Sequence, residues 1–215
     1  MIHPLRALAP LATALPLAGL LAGLAPASVR AQSLFNATEL DQSQFIFVAA
    51  PIGSGERAQL NIYEQRSNAR PCFAVQGASP AQVNPLLATF DFTGICNRYI
   101  DANGYSLRVG ATDLATLYRL SVVRQNGDNL LLAIPTKPVA GTEMVVARSG
   151  GHAGGFLLLV PEPGWKLMRR SFGGRALGHV YVYRDTLPAA PGAPAAAAPA
   201  VAAPAPAAPA PGKRP

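Results

Sequence analysis

The 215-residue sequence carries 18 basic and 11 acidic residues, a formal net charge of +7, and half of its residues are hydrophobic. When the first 31 and the last 29 residues are set aside, 14 basic and 11 acidic residues remain, a difference of only +3. A charge this small and scattered excludes the dense basic stripe of a nucleic-acid-binding protein.

The first 31 residues are predicted to be a signal peptide. Arg6 precedes an uncharged, Ala/Leu/Gly-rich run over residues 7–25, and small residues follow up to Ala31. This order of cation, apolar run and small-residue exit predicts cleavage after Ala31, with Ala27 as the weaker site. A retained membrane anchor is the alternative, but two prolines interrupt a run that is barely long enough to span a bilayer. We therefore expect export to the periplasm, the cell envelope or the medium, with no stable membrane insertion after cleavage.

Residues 32–186 are predicted to form one compact, mainly β domain. Apolar and polar residues alternate with a period of two, and turn signals recur every eight to twelve residues. The predicted strands are Phe45–Ala50, Ala58–Gln65, Arg98–Ile100, Tyr105–Val109, Tyr118–Arg124, Leu130–Ile134, Glu143–Ala147, Phe156–Val160, Trp165–Phe172 and His179–Tyr183.

The turns between these strands favour an antiparallel β-sandwich or a barrel-like fold. Asn103-Gly104 and Asn126-Gly127 each predict a tight hairpin, because Asn-Gly readily adopts the two positive φ angles that such a turn needs. Gly173-Gly174 predicts a third turn between the last two strands. Helical periodicity is weak, and the predicted short helices are limited to Pro80–Leu87 and Asp113–Leu117.

The two cysteines, Cys72 and Cys96, predict a structural disulfide. An even pair with no other thiol forms a bridge in an oxidising compartment, which is where a signal peptide would deliver the chain. Metal binding is the alternative, but neither cysteine has a histidine or a second cysteine within four residues. We therefore expect no metal site and no cofactor.

Few residues qualify as catalytic candidates, and all are weak. Asp91 and Asp101 lie on either side of the second cysteine, and paired carboxylates of this kind could hydrolyse a glycosidic bond. Aspartates at such positions more often cap turns. His179 alternates with Tyr181 and Tyr183 on one strand face, which favours a hydrogen-bonded structural role. No Gly-x-Ser-x-Gly nucleophile motif accompanies it.

Residues 187–215 are predicted to form a disordered tail. They are almost entirely alanine and proline, and proline removes the backbone donors that helices and sheets need. Such a tail populates extended polyproline-II conformations. Its role could be that of a spacer through envelope material or that of a neutral extension, and the sequence favours neither.

Several ordered segments of the predicted domain carry a family resemblance. They are Asp41-Gln42-Ser43-Gln44-Phe45-Ile46, Ala49-Ala50-Pro51, Arg70-Pro71-Cys72, Asn84-Pro85-Leu86-Leu87, Asp91-Phe92-Thr93-Gly94-Ile95-Cys96, Asp101-Ala102-Asn103-Gly104-Tyr105-Ser106-Leu107-Arg108, Pro163-Gly164-Trp165 and Leu177-Gly178-His179-Val180-Tyr181. Together they resemble a cyanobacterial family of exported proteins classified only as a domain of unknown function, over about residues 35–184. The resemblance implies an envelope or periplasmic location and one compact domain. It supplies no catalytic residue, because the family has no established activity.

Two functional classes follow from the sequence. The first, which we favour, is an exported, non-catalytic module that binds envelope polysaccharide, peptidoglycan or a protein partner. The second is a hydrolase of envelope polysaccharide that uses carboxylates such as Asp91 and Asp101. The second class requires those carboxylates to converge in a cleft.

Overall fold

A computed structural model of the chain describes residues 34–188. The predicted signal peptide and the tail from residue 189 onward lie outside the described residues. Strands make up 52% of the described part, in curled sheets that form a half-barrel, so the predicted mainly β fold is confirmed. The strands are β1 (Asn36–Glu39), β2 (Phe45–Ile52), β3 (Arg57–Gln65), β4 (Ala74–Gln76), β5 (Gln82–Asn84), β6 (Cys96–Tyr99), β7 (Tyr105–Val109), β8 (Thr112–Asp113), β9 (Tyr118–Gln125), β10 (Asp128–Pro135), β11 (Met144–Arg148), β12 (Leu157–Pro161), β13 (Lys166–Phe172) and β14 (Arg175–Arg184).

The strands form two sheets. Sheet I has five strands in the order β1-β13-β14-β7-β8, and sheet II runs β6-β3-β2-β12-β11-β10-β9, with β4 and β5 attached beside β12. Neighbouring strands are antiparallel except for β7 and β14, which pair in parallel. The prediction of an antiparallel arrangement therefore holds for every pair but this one.

The main hydrophobic core lies between the two sheets. Sheet I contributes side chains such as Leu167 and Val182, and sheet II contributes Phe47, Leu131 and Val146. All five are buried. This arrangement explains the period-two alternation, because every second residue of these strands faces the core.

Strand β2 is buried on both of its faces. Phe47 and Ala49 belong to the main core, while the intervening Val48 packs into a second apolar cluster on the opposite side of sheet II. A strand that is covered on both faces has no solvent-facing positions for polar residues. The sequence of β2 is therefore a continuous apolar run. The segment that supplies the cover runs from residue 72 to residue 95 and contributes Leu87 and Phe92.

Cys72 and Cys96 tie this covering segment to the sheet. Their sulfur atoms lie 2.02 Å apart, at disulfide distance, as predicted. Cys72 lies in the loop before β4, and Cys96 begins β6. Both are buried in the second cluster beside Tyr63. The bridge therefore fixes both ends of the segment that covers β2.

The turn predictions separate into correct and incorrect ones. At Asn126-Gly127 both residues have positive φ, 51° and 75°, and β9 pairs with β10 around them, so this hairpin is confirmed. Gly173-Gly174 likewise joins the antiparallel β13 and β14. The hairpin predicted at Asn103-Gly104 is wrong, because β6 pairs with β3 in sheet II whereas β7 pairs with β14 in sheet I.

The Asn103-Gly104 turn instead carries the chain from one sheet to the other. Neither residue has positive φ, so the turn does not use the conformation that Asn-Gly suggests. Glycine is needed for a different reason. A Cβ on Gly104 would lie 3.0 Å from the Cβ of Tyr99, closer than two side chains normally approach.

The two predicted helices are also wrong. The range Pro80–Leu87 contains strand β5 and only the start of a 3-10 turn at Leu86–Thr89. In the range Asp113–Leu117, the first residue ends β8 and the others form a single turn before β9. The other 3-10 segments are Gln42–Gln44 and Pro138–Ala140. Tertiary packing overrides weak helix propensity in such short segments. Within residues 34–188, no helix has the length and apolarity needed to cross a membrane.

Candidate functional site

The two candidate aspartates each cap a local turn. The Asp91 carboxylate accepts a hydrogen bond from the Thr93 backbone N–H at 3.0 Å, and that of Asp101 accepts one from Asn103 N–H at 2.9 Å. Hydrogen bonds from the Thr93 side chain and backbone lower the pKa of Asp91. Both residues are exposed. This is the turn-capping arrangement that the sequence analysis set against the hydrolase hypothesis.

His179 is buried in a hydrogen-bonded position on sheet I. Its Nδ1 lies 2.8 Å from the carbonyl oxygen of Asn103, and its Nε2 lies 2.9 Å from Ser106 Oγ. A carbonyl can only accept, so Nδ1 carries the proton and Nε2 accepts the bond from the Ser106 hydroxyl. The ring also packs edge-on against Tyr181, with centroids 5.6 Å apart. His179 therefore links β7, β14 and the turn that crosses between the sheets.

The surroundings of His179 disfavour its charged form. Both His179 and Ser106 are 7% exposed. Burial lowers the pKa of His179, the Asn103 hydrogen bond opposes this, and the positive charge of Arg170 lowers it further. The backbone carbonyl of Asn103 holds the position that a carboxylate occupies in a Ser-His-Asp triad. The arrangement thus suits a neutral histidine that fixes local geometry.

Protonation of His179 should destabilise the folded protein. Its folded pKa is lowered, so the unfolded chain takes up the proton first as the pH falls below about 6.5. Stability is then fully present above that pH and is lost below it, by up to about 1.4 kcal/mol per pH unit. Urea unfolding at several pH values between 7.5 and 5.5 should show a smaller slope for His179→Asn than for the wild type. His152→Asn, which replaces an exposed histidine, is the control for the loss of a histidine side chain; an unchanged slope in His179→Asn would contradict the assignment.

A buried ion pair joins the two sheets. Arg169 Nη2 on β13 lies 2.7 Å from Glu64 Oε1 on β3, and each side chain is only about a tenth exposed. Glu64 Oε2 accepts further hydrogen bonds from the Tyr99 hydroxyl at 2.5 Å and from Asn97 Nδ2 at 2.7 Å. Arg169 Nη1 donates to the same Tyr99 oxygen at 2.6 Å. The four side chains therefore form a closed polar network.

The network stabilises the charged form of its acid. Burial alone would raise the pKa of Glu64, but hydrogen bonds from Tyr99 and Asn97 together with the Arg169 charge outweigh it, and the pKa is lowered. Sequence reasoning missed this pair, because residues 64 and 169 lie 105 positions apart and no local motif connects them. The charges of Glu64 and Arg169 are paired with each other and both are hydrogen-bonded to the Tyr99 hydroxyl, so the role of the network is structural.

Two adjoining cavities form a groove at one end of the half-barrel. The larger, of about 510 Å³, lies between β3 and β9, and the smaller, of about 300 Å³, lies between the turn after β2 and the glycine-rich loop before β12. The two cavities share Glu56, Ala58, Arg124 and Asn129 in their walls. Because β3 and β9 are not hydrogen-bonded to each other, the curled sheet II stays open along this line.

Asn129 lies where the two cavities meet. Only 3% of its surface is exposed, and its Nδ2 lies 3.2 Å from Ser149 Oγ and 3.4 Å from the Gly151 carbonyl oxygen. That carbonyl can only accept, so the amide nitrogen is the atom facing it. Within residues 34–188 no hydrogen bond reaches Asn129 Oδ1. The side chain therefore offers the groove an unused acceptor.

Asp128 holds the loop that carries His152 beside the groove. Its Oδ1 accepts hydrogen bonds from the backbone N–H of Asn129, the Ser149 hydroxyl and the Gly151 N–H, at 2.8, 2.9 and 3.0 Å. Burial acts to raise the pKa of Asp128, but these bonds outweigh it and the pKa is lowered. The loop is thus fixed by a charged acceptor, and His152 is placed at the wall of the smaller cavity.

The charged residues of the groove are available to a ligand. Arg57 and Glu56 are exposed, and neither forms a hydrogen bond or an ion pair within the described part of the chain. Arg124 donates one bond, from Nη2 to the Gly55 carbonyl oxygen at 3.0 Å. Apolar side chains such as Leu120 and Val122 form the opposite wall of the larger cavity. This mixture of one apolar wall and several unpaired polar groups is typical of a binding site.

The sequence analysis did not single out the groove residues. They come from β3, β9, β10 and two loops, and only the fold brings them together. His152, in the glycine-rich loop before β12, was not among the candidate residues of the sequence analysis either. Among residues 34–188, no group of three or more histidine, cysteine, aspartate or glutamate side chains is arranged to hold a metal ion.

Comparison with known proteins identifies one family. The family described as "Protein of unknown function (DUF3747)" matches residues 11–187, which is most of the chain. No curated protein and no solved structure is significantly similar to the chain.

Proposed function

The chain belongs to the family of proteins of unknown function DUF3747, and we propose that it is an exported, non-catalytic module that binds polysaccharide of the cell envelope in the groove between β3 and β9. The observation that carries the proposal is the unused hydrogen-bonding capacity of the groove. Asn129 Oδ1, Arg57 and Glu56 have no partner within residues 34–188.

The shape and chemistry of the groove favour a polysaccharide over a protein partner. A protein interface has an apolar core that is nearly free of charge. The groove instead pairs apolar side chains with amide, guanidinium and carboxylate groups. Sugar hydroxyls both donate and accept hydrogen bonds, so they can use Asn129 Oδ1 as an acceptor and the arginines as donors.

A non-catalytic role is supported by the state of the catalytic candidates. Asp91 and Asp101 cap turns, and His179 is buried and hydrogen-bonded at both ring nitrogens. Export is supported by the predicted signal peptide and by a cysteine pair at disulfide distance, since such bridges persist in oxidising compartments.

Removing uncharged polar groups from the groove should weaken polysaccharide binding. Gln59 and Ser121 line the larger cavity from opposite strands, and two lost hydrogen bonds should weaken binding by about tenfold or more. The test is cosedimentation of the purified domain with insoluble envelope polysaccharide, comparing the wild type with a Gln59→Ala, Ser121→Ala double variant. The control is Gln76→Ala. Gln76 is an exposed glutamine on β4 that lines neither of the two cavities. The proposal would be contradicted if all three proteins sedimented with the polysaccharide to the same extent, or if none of them sedimented with it.

A further inference from the structure

We propose that the groove selects an acidic polysaccharide, one whose sugars carry carboxylates, over a neutral polysaccharide of the same backbone. This inference rests on the proposed function and names its ligand class. It comes from the charge of the groove, in which Arg57 and Arg124 face a single carboxylate, that of Glu56.

The two arginines of the groove are not held in ion pairs within residues 34–188. Three other cations are engaged in ion pairs: Arg148 with Glu162, Lys166 with Glu39 and Arg169 with Glu64. Arg57 has no partner in the described part of the chain, and Arg124 uses only one of its donors, on a neutral carbonyl. A guanidinium that is not neutralised by a nearby carboxylate attracts a carboxylate from solution.

The geometry of guanidinium groups suits sugar carboxylates. An arginine presents parallel N–H donors that can bind both oxygens of one carboxylate, and such charge-assisted bonds are about twice as strong as neutral ones. Arg124 borders both cavities, whereas Arg57 borders only the larger one. Two cations placed along one groove match a polymer that repeats its negative charge.

Neighbouring uncharged groups would hold the rest of the sugar ring. Asn129 Oδ1 is an unused acceptor between the cavities, and Gln59 lies on the same strand as Arg57. Hydroxyl groups next to a sugar carboxylate can donate to such acceptors. The carboxylate would therefore bind the arginines while the hydroxyls bind the amides.

Removing the charge of Glu56 should change the affinity for an acidic glycan in the opposite direction from removing the charge of an arginine. Its carboxylate lines both cavities and repels a ligand carboxylate. Glu56→Gln should therefore strengthen binding of an acidic glycan, whereas Arg57→Gln and Arg124→Gln should weaken it. A neutral glycan should respond to none of these changes in charge.

The experiment uses two probes with the same sugar backbone: an oligogalacturonide and its fully methyl-esterified form, in which each carboxylate is converted to an uncharged methyl ester. Titration calorimetry at low salt should show the acid binding at least tenfold more tightly than the ester, with the preference decreasing as salt is raised. Arg57→Gln and Arg124→Gln should each reduce binding of the acid by about tenfold. Arg175→Gln, at the exposed arginine that begins β14, is the matched control.

The outcomes separate this inference from the proposed function. Equal binding of acid and ester, unaffected by salt and by the arginine variants, would overturn selection for acid while leaving a polysaccharide-binding groove. Failure of both probes to bind would also overturn the inference, and the cosedimentation assay would then decide the proposed function independently. The midpoint of thermal unfolding should be the same for each variant as for the wild type. Loss of binding in a variant then comes from the lost charge and not from loss of the fold.

Discussion

Replacing Arg169 by methionine should lower the free energy of unfolding by about 3 kcal/mol. The substitution removes the partner of Glu64 and leaves a carboxylate in a position that is about one tenth exposed. The Tyr99 and Asn97 bonds to that carboxylate remain, but they carry no positive charge to balance it. Urea unfolding followed by tryptophan fluorescence would measure the loss, because the single tryptophan, Trp165, is buried in the main core.

The matched control lies on the same strand. Lys166 also forms an ion pair, with Glu39, but the Glu39 side chain is 66% exposed. Solvent-exposed pairs contribute about 1 kcal/mol or less, so Lys166→Met should have a small effect. A double variant, Glu64→Leu with Arg169→Met, should recover part of the stability lost in Arg169→Met, because it removes the uncompensated charge. Equal losses for Arg169→Met and Lys166→Met would contradict the role assigned to the buried network.

Reduction of the Cys72–Cys96 bridge should cost about 3 kcal/mol of unfolding free energy. The bridge joins residues 24 positions apart, and opening it restores conformational entropy to the unfolded chain. Urea unfolding of the oxidised protein, with and without dithiothreitol, would measure this loss. A midpoint that does not move on reduction would contradict a stabilising disulfide.

A second comparison separates loop closure from packing. Both sulfur atoms lie in the buried cluster beneath β2, so a Cys72→Ala, Cys96→Ala variant loses apolar contacts as well as the bridge. It should be less stable than the reduced wild type by about 1–2 kcal/mol, because each substitution leaves a small cavity. If the two proteins are equally stable, packing of the sulfur atoms contributes nothing.

The sequence predicted those parts of the fold that depend on local chemistry. Asn126-Gly127 forms the expected hairpin because its flanking strands follow each other within one sheet. Asn103-Gly104 has the same two residues but leads from sheet II into sheet I. The choice between these outcomes depends on which distant strand pairs with β7. That strand is β14, more than 70 residues further along the chain.

The candidate site depended still more on distant contacts. The disulfide was predictable because the sequence contains two cysteines, and two thiols in an oxidising compartment can form only one bridge. The groove was not, because Arg57, Arg124 and Asn129 are unremarkable in sequence and acquire their role through the gap between β3 and β9. His179 was correctly expected to be hydrogen-bonded, but its partners, Ser106 and the Asn103 carbonyl, come from a strand and a turn far from it in sequence.

The position of β1 at the edge of sheet I has a consequence for the timing of folding. Within residues 34–188, β1 pairs only with β13, and Asn36 contacts Ser171 across 135 residues of sequence. At about 10 residues per second of synthesis, β1 waits on the order of ten seconds for its partner. Such long-range pairing also folds slowly once it can begin. Sheet I therefore cannot close before its last strands have been made, and this delay is compatible with the export that we propose.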